Sequence, residues 1–255
     1  MQFDGVIFDW AGTTVDYGCF APVQAFIEVF RHFGIEPTME EVRKPMGMLK
    51  IDHIRTMLHM DRIYNCFMEK YGRKPDEQDV AAMFNMFEEK LLSILHNFAD
   101  VKKGVCETVE ALRAQGLKIG STTGYNDKMM SIVVPAAKAN GYEPDAWFSP
   151  DSVGGAGRPK PYMIFKNMEA LGLGDVRRAL KVGDTVADIA EGKNAGVKTV
   201  GIIEGSSMLG LTKEEYEVLS AAERAVYDEK TKRAYIEAGA DYVIQDIRGL
   251  IGLVK

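Results

Sequence analysis

The feature that most constrains this chain is a series of short apolar runs, each ending in a polar cluster. Phe3 to Phe8 is almost continuously apolar and stops at Asp9, just ahead of Ala11-Gly12-Thr13-Thr14. Leu117 to Gly120 leads into Ser121-Thr122-Thr123-Gly124, Ala179 to Val182 into Gly183-Asp184-Thr185, and Val197 to Ile203 into Glu204-Gly205-Ser206. A last run, Asp241 to Ile244, lies near the carboxyl end. Short runs without alternation suit strands covered on both faces. Helical patterns such as Val105 to Gln115 and Pro161 to Leu171 separate them. Strands alternating with helices predict an α/β fold, a doubly wound parallel sheet with helices on both faces.

The stretch from about Pro22 to Asp100 breaks the alternation. It is rich in Met, Phe, Leu and charge and has no strand pattern. Thr38-Met39-Glu40-Glu41 is a capping-box start, and Asp76 opens a helical pattern through Val80, Met83, Phe87 and Leu91. The expected organisation is a sheet domain over 1–20 and 100–255, with an all-helical domain inserted at 21–99. Residues 205–240 are long for a connection. A helix is expected after Thr212 and another over Ala221 to Ala238.

Composition excludes several partners. The net charge is −6, with no dense basic run, so neither nucleic acid nor an anionic membrane surface is an expected partner. Cys19, Cys66 and Cys106 are widely spaced and form no Cys-x-x-Cys pair, which argues against zinc or a disulfide framework. Reduced thiols fit a cytoplasmic protein. The amino terminus has no basic region ahead of its apolar run and is not read as a signal peptide.

Open parallel sheets bind ligands at the carboxyl ends of their strands. There this chain places Asp9, then Thr122 and Thr123, then Asp184 and Asp188. One Asp at a strand end is ordinarily a cap or turn residue. Several on one sheet edge converge on one site. Carboxylates gathered together repel unless a cation lies between them, and hard oxygen ligands suit Mg²⁺. With phosphoryl charge shielded, Asp9 could attack phosphorus as a nucleophile. Thr123, with Arg158 or Lys160, would hold the phosphoryl oxygens.

In order, Phe8-Asp9-Trp10-Ala11-Gly12-Thr13, Ser121-Thr122-Thr123-Gly124, Arg158-Pro159-Lys160-Pro161 and Val182-Gly183-Asp184-Thr185-x-x-Asp188 resemble the four motifs of the haloacid dehalogenase superfamily. The resemblance implies a Rossmann-like core, with the helical insertion as its cap. One position departs from the superfamily's phosphatases. They carry a second Asp two residues after the nucleophile, as acid and then base; here it is Ala11, whose methyl has no proton to give. Either the chain is catalytically silent, or its leaving group needs no acid.

Lys50 favours the second. In Met46-Gly47-Met48-Leu49-Lys50-Ile51-Asp52-His53, a continuous helix would put Met46, Lys50 and His53 on one face. Apolar neighbours would desolvate Lys50 and free its amine for carbonyl chemistry, with His53 a turn away to move protons. An imine is an electron sink, so carbon could leave phosphorus as an enamine. This combination resembles a branch of the superfamily that cleaves carbon–phosphorus bonds. The resemblance implies hydrolysis of phosphonoacetaldehyde to acetaldehyde and phosphate, a closing cap and a homodimer. It also implies residue roles. Asp9, Lys50 and His53 are catalytic; Thr123, Gly124, Arg158 and Met46 bind substrate; Asp9, the Ala11 carbonyl, Asp184 and Asp188 form the Mg²⁺ site, Asp188 as an outer partner. The alternatives are a sugar-phosphate phosphatase or mutase, and a silent binding protein on the same scaffold. A nucleotide-dependent oxidoreductase is disfavoured, because no Gly-x-Gly-x-x-Gly follows the first strand.

Overall fold

The structure is a computed structural model and describes residues 3–254. It opens with β1 (Gly5–Phe8). Helices follow with no strand between them: α1 (Phe20–His32), α2 (Met39–Arg43), α3 (Lys50–Leu58), α4 (Asp61–Tyr71) and α5 (Glu77–Ile94). Alternation then resumes with α6 (Val105–Ala114), β2 (Lys118–Thr122), α7 (Asp127–Ala139), β3 (Ala146–Phe148), α8 (Tyr162–Leu171) and β4 (Ala179–Gly183). The chain ends with α9 (Val186–Ala195), β5 (Lys198–Ile202), α10 (Lys213–Val218), α11 (Ala221–Glu237), β6 (Tyr242–Ile244) and α12 (Gly249–Leu253).

All strand pairs are parallel, in the order β3-β2-β1-β4-β5-β6. β1 shows why its run is apolar throughout. Val6 and Phe8 enter the core shared with α6 and α7, while Ile7 faces the opposite cluster under α8. The strand order turns around β1, so the crevice between the carboxyl ends of β1 and β4 is the natural ligand site. Asp9 and Asp184 stand there.

Capping residues act where expected. Thr38 with Glu41, Asp76 with Asp79, and Thr212 with Glu215 each form reciprocal capping boxes. Val80, Met83, Phe87 and Leu91 form the buried stripe of α5. β3 has no counterpart among the sequence expectations, since its three half-buried residues make no apolar run. The expected helix over Met46–His53 is corrected. Residues 46–49 form a turn, and α3 begins only at Lys50. Gly47, at φ 88°, takes a left-handed conformation that interrupts any helix there.

The connections on either side of the helical segment touch each other. Val15 and Val101 form an antiparallel bridge. The Lys102 ammonium donates to the carbonyls of Gly12 (2.5 Å), Glu204 (3.0 Å) and Gly205 (3.2 Å). The buried Asp16 carboxylate accepts the Phe20 and Ala21 N–H groups, fastening the start of α1. Among the described residues, no helix is long and apolar enough to cross a membrane.

Candidate active site

β1 delivers Asp9 to the sheet edge, where its N–H still donates to the Val182 carbonyl (2.9 Å). β4 delivers Asp184 beside it. Oxygens of Asp9, Asp184 and Asp188 lie within 4.8 Å of one another. The Thr13 hydroxyl stands between the first two, 3.4 Å from Asp9 and 3.5 Å from Asp184. The environments of these acids differ. Asp9 pairs with Arg158 (2.7 Å), and Asp188 with Arg158 (3.1 Å) and Lys181 (2.8 Å). Asp188 also accepts the Thr185 hydroxyl (2.6 Å), closing the capping box of α9. Among the described residues no Lys or Arg reaches Asp184, which accepts the Ser207 N–H (2.7 Å). Burial, then Asp9 and Asp188, push Asp184 well above the usual carboxylate range. Burial also raises Asp9, against the pull of Arg158. A buried carboxylate lacking a cation, beside a second one, is a donor set that fits a divalent ion.

Arg158 engages a protein partner through each of its three nitrogens. Its Nη2 bonds Asp9 and the Thr122 hydroxyl (2.8 Å), and its Nε bonds Glu191 (2.9 Å). Burial opposes its charge, but Asp188, Asp9 and Glu191 override that and hold its pKa well above the ordinary arginine value. Lys160, the other candidate, is exposed. The Thr123 hydroxyl accepts the Tyr125 N–H (3.0 Å) and lies at the edge of the site.

The helical segment supplies the other side. Lys50, only 4% exposed, starts α3 with its ammonium 3.9 Å from Met46 Sδ and 5.3 Å from the Tyr125 ring centroid. Among the described residues no carboxylate pairs with it. Desolvation lowers its pKa, outweighing the opposing pull of Cys19 and Asp9. Met46 thus reaches Lys50 from the turn, without a shared helix. His53 stacks on Phe26 (3.9 Å between centroids), and its Nε2 lies 2.9 Å from the Val42 carbonyl. That bond makes Nε2 the donor and leaves the buried Nδ1 without a partner among the described residues. Burial holds the ring well below the ordinary histidine pKa.

Asp9, Ala11, Thr123, Gly124, Arg158 and Asp184 line one side of a small cavity, with Met46 and Lys50 on the other. Its volume is about 20 Å³, room for one water. The helical segment is therefore seated tightly on the sheet domain. Glu191, Lys181 and Tyr125 did not emerge from the sequence. Lys181 carried a signal: a charge inside the apolar run Ala179 to Val182 must find a buried partner. Glu191 lies one turn beyond Asp188 on α9 and is that partner's neighbour.

The chain is similar to known proteins over most or all of its length. Residues 3–196 match the haloacid dehalogenase-like hydrolase family model. The chain is 49% identical to a phosphonoacetaldehyde hydrolase of Lysinibacillus sphaericus over 255 residues, covering 100% of this chain and 95% of the relative. It is 51% identical to a bifunctional phosphonoacetaldehyde hydrolase/aminoethylphosphonate transaminase of Clostridioides difficile, covering 98% of this chain and 39% of that longer protein. A crystal structure of a phosphonoacetaldehyde hydrolase-like protein from Oleispira antarctica superposes with a TM-score of 0.95 at 37% identity, covering 100% of this chain and 93% of the other.

Proposed function

The chain belongs to the haloacid dehalogenase-like hydrolase family, and on that premise we propose that it hydrolyses the carbon–phosphorus bond of phosphonoacetaldehyde to acetaldehyde and phosphate. Residues 1–20 and 100–255 are its core and 21–99 its cap. The isolation of Lys50 carries this reading: a buried lysine without a carboxylate partner among the described residues, facing a nucleophile whose second neighbour is Ala11. An alkoxide leaving group would need an acid at residue 11. An enamine carbon does not.

Lys50 attacks the aldehyde as a neutral amine and expels water, giving a protonated imine. His53, with Nδ1 free and one turn away, accepts and returns protons. The Asp9 carboxylate then attacks phosphorus. The carbon–phosphorus bond breaks, and its electron pair passes into the imine to give an enamine. Arg158 and Thr123 hold the phosphoryl oxygens through this step. One water hydrolyses the aspartyl-phosphate. Protonation of the enamine carbon and a second water release acetaldehyde and restore Lys50. Two waters enter and one leaves, matching one water consumed overall. Asp9, Asp184 and the Ala11 carbonyl would hold Mg²⁺, with Asp188 behind them; when bound, the ion supplies shielding of the phosphoryl charge. The same reading includes a homodimer, which sedimentation of the purified chain checks.

The test is chemical. Incubation with phosphonoacetaldehyde and borohydride should leave a reduced adduct at Lys50, located by peptide mapping. Lys50→Arg should lose both the adduct and phosphate release, because a guanidinium forms no such imine. Full turnover by Lys50→Arg would discard the mechanism.

A further inference from the structure

Seven residues before Lys50, the cap sends an arginine across to the core. Arg43 ends α2, and its Nη1 donates to the carbonyl of Gly18 in the first linker (2.8 Å) and of Ser207 in the loop after β5 (3.2 Å). Its guanidinium lies over the Phe20 ring, 4.7 Å from the centroid. It also lies against Gly210, where a Cβ would come within 3.2 Å of Arg43 Cδ. The Arg43 carbonyl accepts the Met46 N–H (3.0 Å) and so opens the turn that leads to Lys50. On the far side, the Ser207 N–H is the one that holds Asp184. One residue thus touches both halves of the site, through the turn that carries the lysine and the loop that orients the carboxylate.

The fit is incomplete. Arg43 Nε and Nη2 are buried without partners among the described residues. Two desolvated donors are an unfavourable way to stabilise a permanent interface. Opening would return them to water, while closing gains the two carbonyl bonds and the Phe20 stack. Such a contact closes the interface without locking it, which a site with room for one water requires in order to admit substrate.

We propose that Arg43 is a positioning residue that seats the cap, placing Lys50 and Asp184 in register through the carbonyls of Gly18 and Ser207. The proposed reaction supplies only the reason why closure matters. The test needs no turnover, so either idea can fail alone.

Cys19 is buried at the site and burial pushes its thiol well above its usual pKa, so it reacts slowly while the cap is closed. In a Cys66→Ser/Cys106→Ser background, maleimide labelling of Cys19 reads cap opening. Arg43→Gln should raise the labelling rate roughly 10-fold, the worth of one charged hydrogen bond. Arg43→Lys keeps the charge and the stem over Phe20, cannot bridge both carbonyls as a fork does, and should give a smaller rise. Repeating the measurement in low urea separates local opening from unfolding. Local opening exposes little surface and gives a rate nearly flat in urea, whereas global unfolding climbs steeply. An unchanged rate in both variants, or a rise with the full urea dependence of unfolding, would overturn the proposal.

Discussion

Two groups of buried charge meet at this site, and they are built in opposite ways. On the core side, Arg158 and Lys181 are interleaved with Asp9, Asp188 and Glu191, each cation touching two or three carboxylates. On the cap side, Lys50 sits among Met46, Tyr125 and Cys19 and pairs with no acid among the described residues. Pairing fixes charge: Asp188 is held below the usual carboxylate range because Arg158 and Lys181 outweigh its burial. Isolation works against charge: desolvation lowers the Lys50 pKa and outweighs the opposing pull of Cys19 and Asp9. The same burial that leaves a paired arginine charged disfavours the charge of a lone lysine.

The largest effect should come from separating the two groups chemically. Asp9→Asn removes the proposed nucleophile from the core and leaves Lys50 untouched. Phosphate release should fall by roughly 10⁴-fold or more, as for other covalent nucleophiles, while borohydride still traps the substrate on Lys50. Turnover that survives this change would remove Asp9 from its role. A smaller effect should follow from loosening the core's pairing. Glu191→Gln takes the anionic acceptor from Arg158 Nε, so phosphate release should drop about 10- to 100-fold. The single variant also breaks the Lys181–Glu191 pair, while Lys181 keeps Asp188. The double variant Lys181→Met/Glu191→Leu removes both members of that pair, so its thermal midpoint should recover toward the parent. Turnover should stay low if Glu191 acts by positioning Arg158. Recovery of both together would reduce Glu191 to a structural part.

On the core half of this contrast, Asp9, Asp188 and Arg158 were legible in the sequence, and Lys181 and Glu191 were not. Apolar runs that stop at Asp9, Thr122 and Asp184 must be strands buried on two faces, and parallel topology then gathers their ends. The cap half was legible as residue types and not as geometry. Lys50 and Met46 do meet, but through a turn set by Gly47, since helical spacing alone cannot show where a helix starts. The short edge strand β3 left no pattern, because three half-buried residues are too few to show one. Partners such as Arg43 with Ser207, 164 residues apart, depend on how the cap docks. No local periodicity encodes that.

The subtlest consequence of the contrast lies in stability. Lys50 is protonated in the unfolded chain up to its ordinary value of 10.5, and folding lowers that value through desolvation. Between the lowered value and 10.5, the unfolded chain therefore binds one more proton than the folded one, and stability rises with pH. Below the lowered value the full penalty persists. Lys50→Met fills similar space without a charge to desolvate, so near pH 7 it should unfold at a higher temperature than the parent. In a chain of this size each kcal/mol relieved raises the midpoint by about 2–4 °C. The advantage should shrink as pH climbs toward 10.5, where the unfolded lysine loses its proton too. Scanning calorimetry of both proteins from pH 6 to about 10 makes the comparison. A difference that does not change with pH would mean that Lys50 keeps its charge inside the closed site, like Arg158, and its isolation would then no longer account for a free amine.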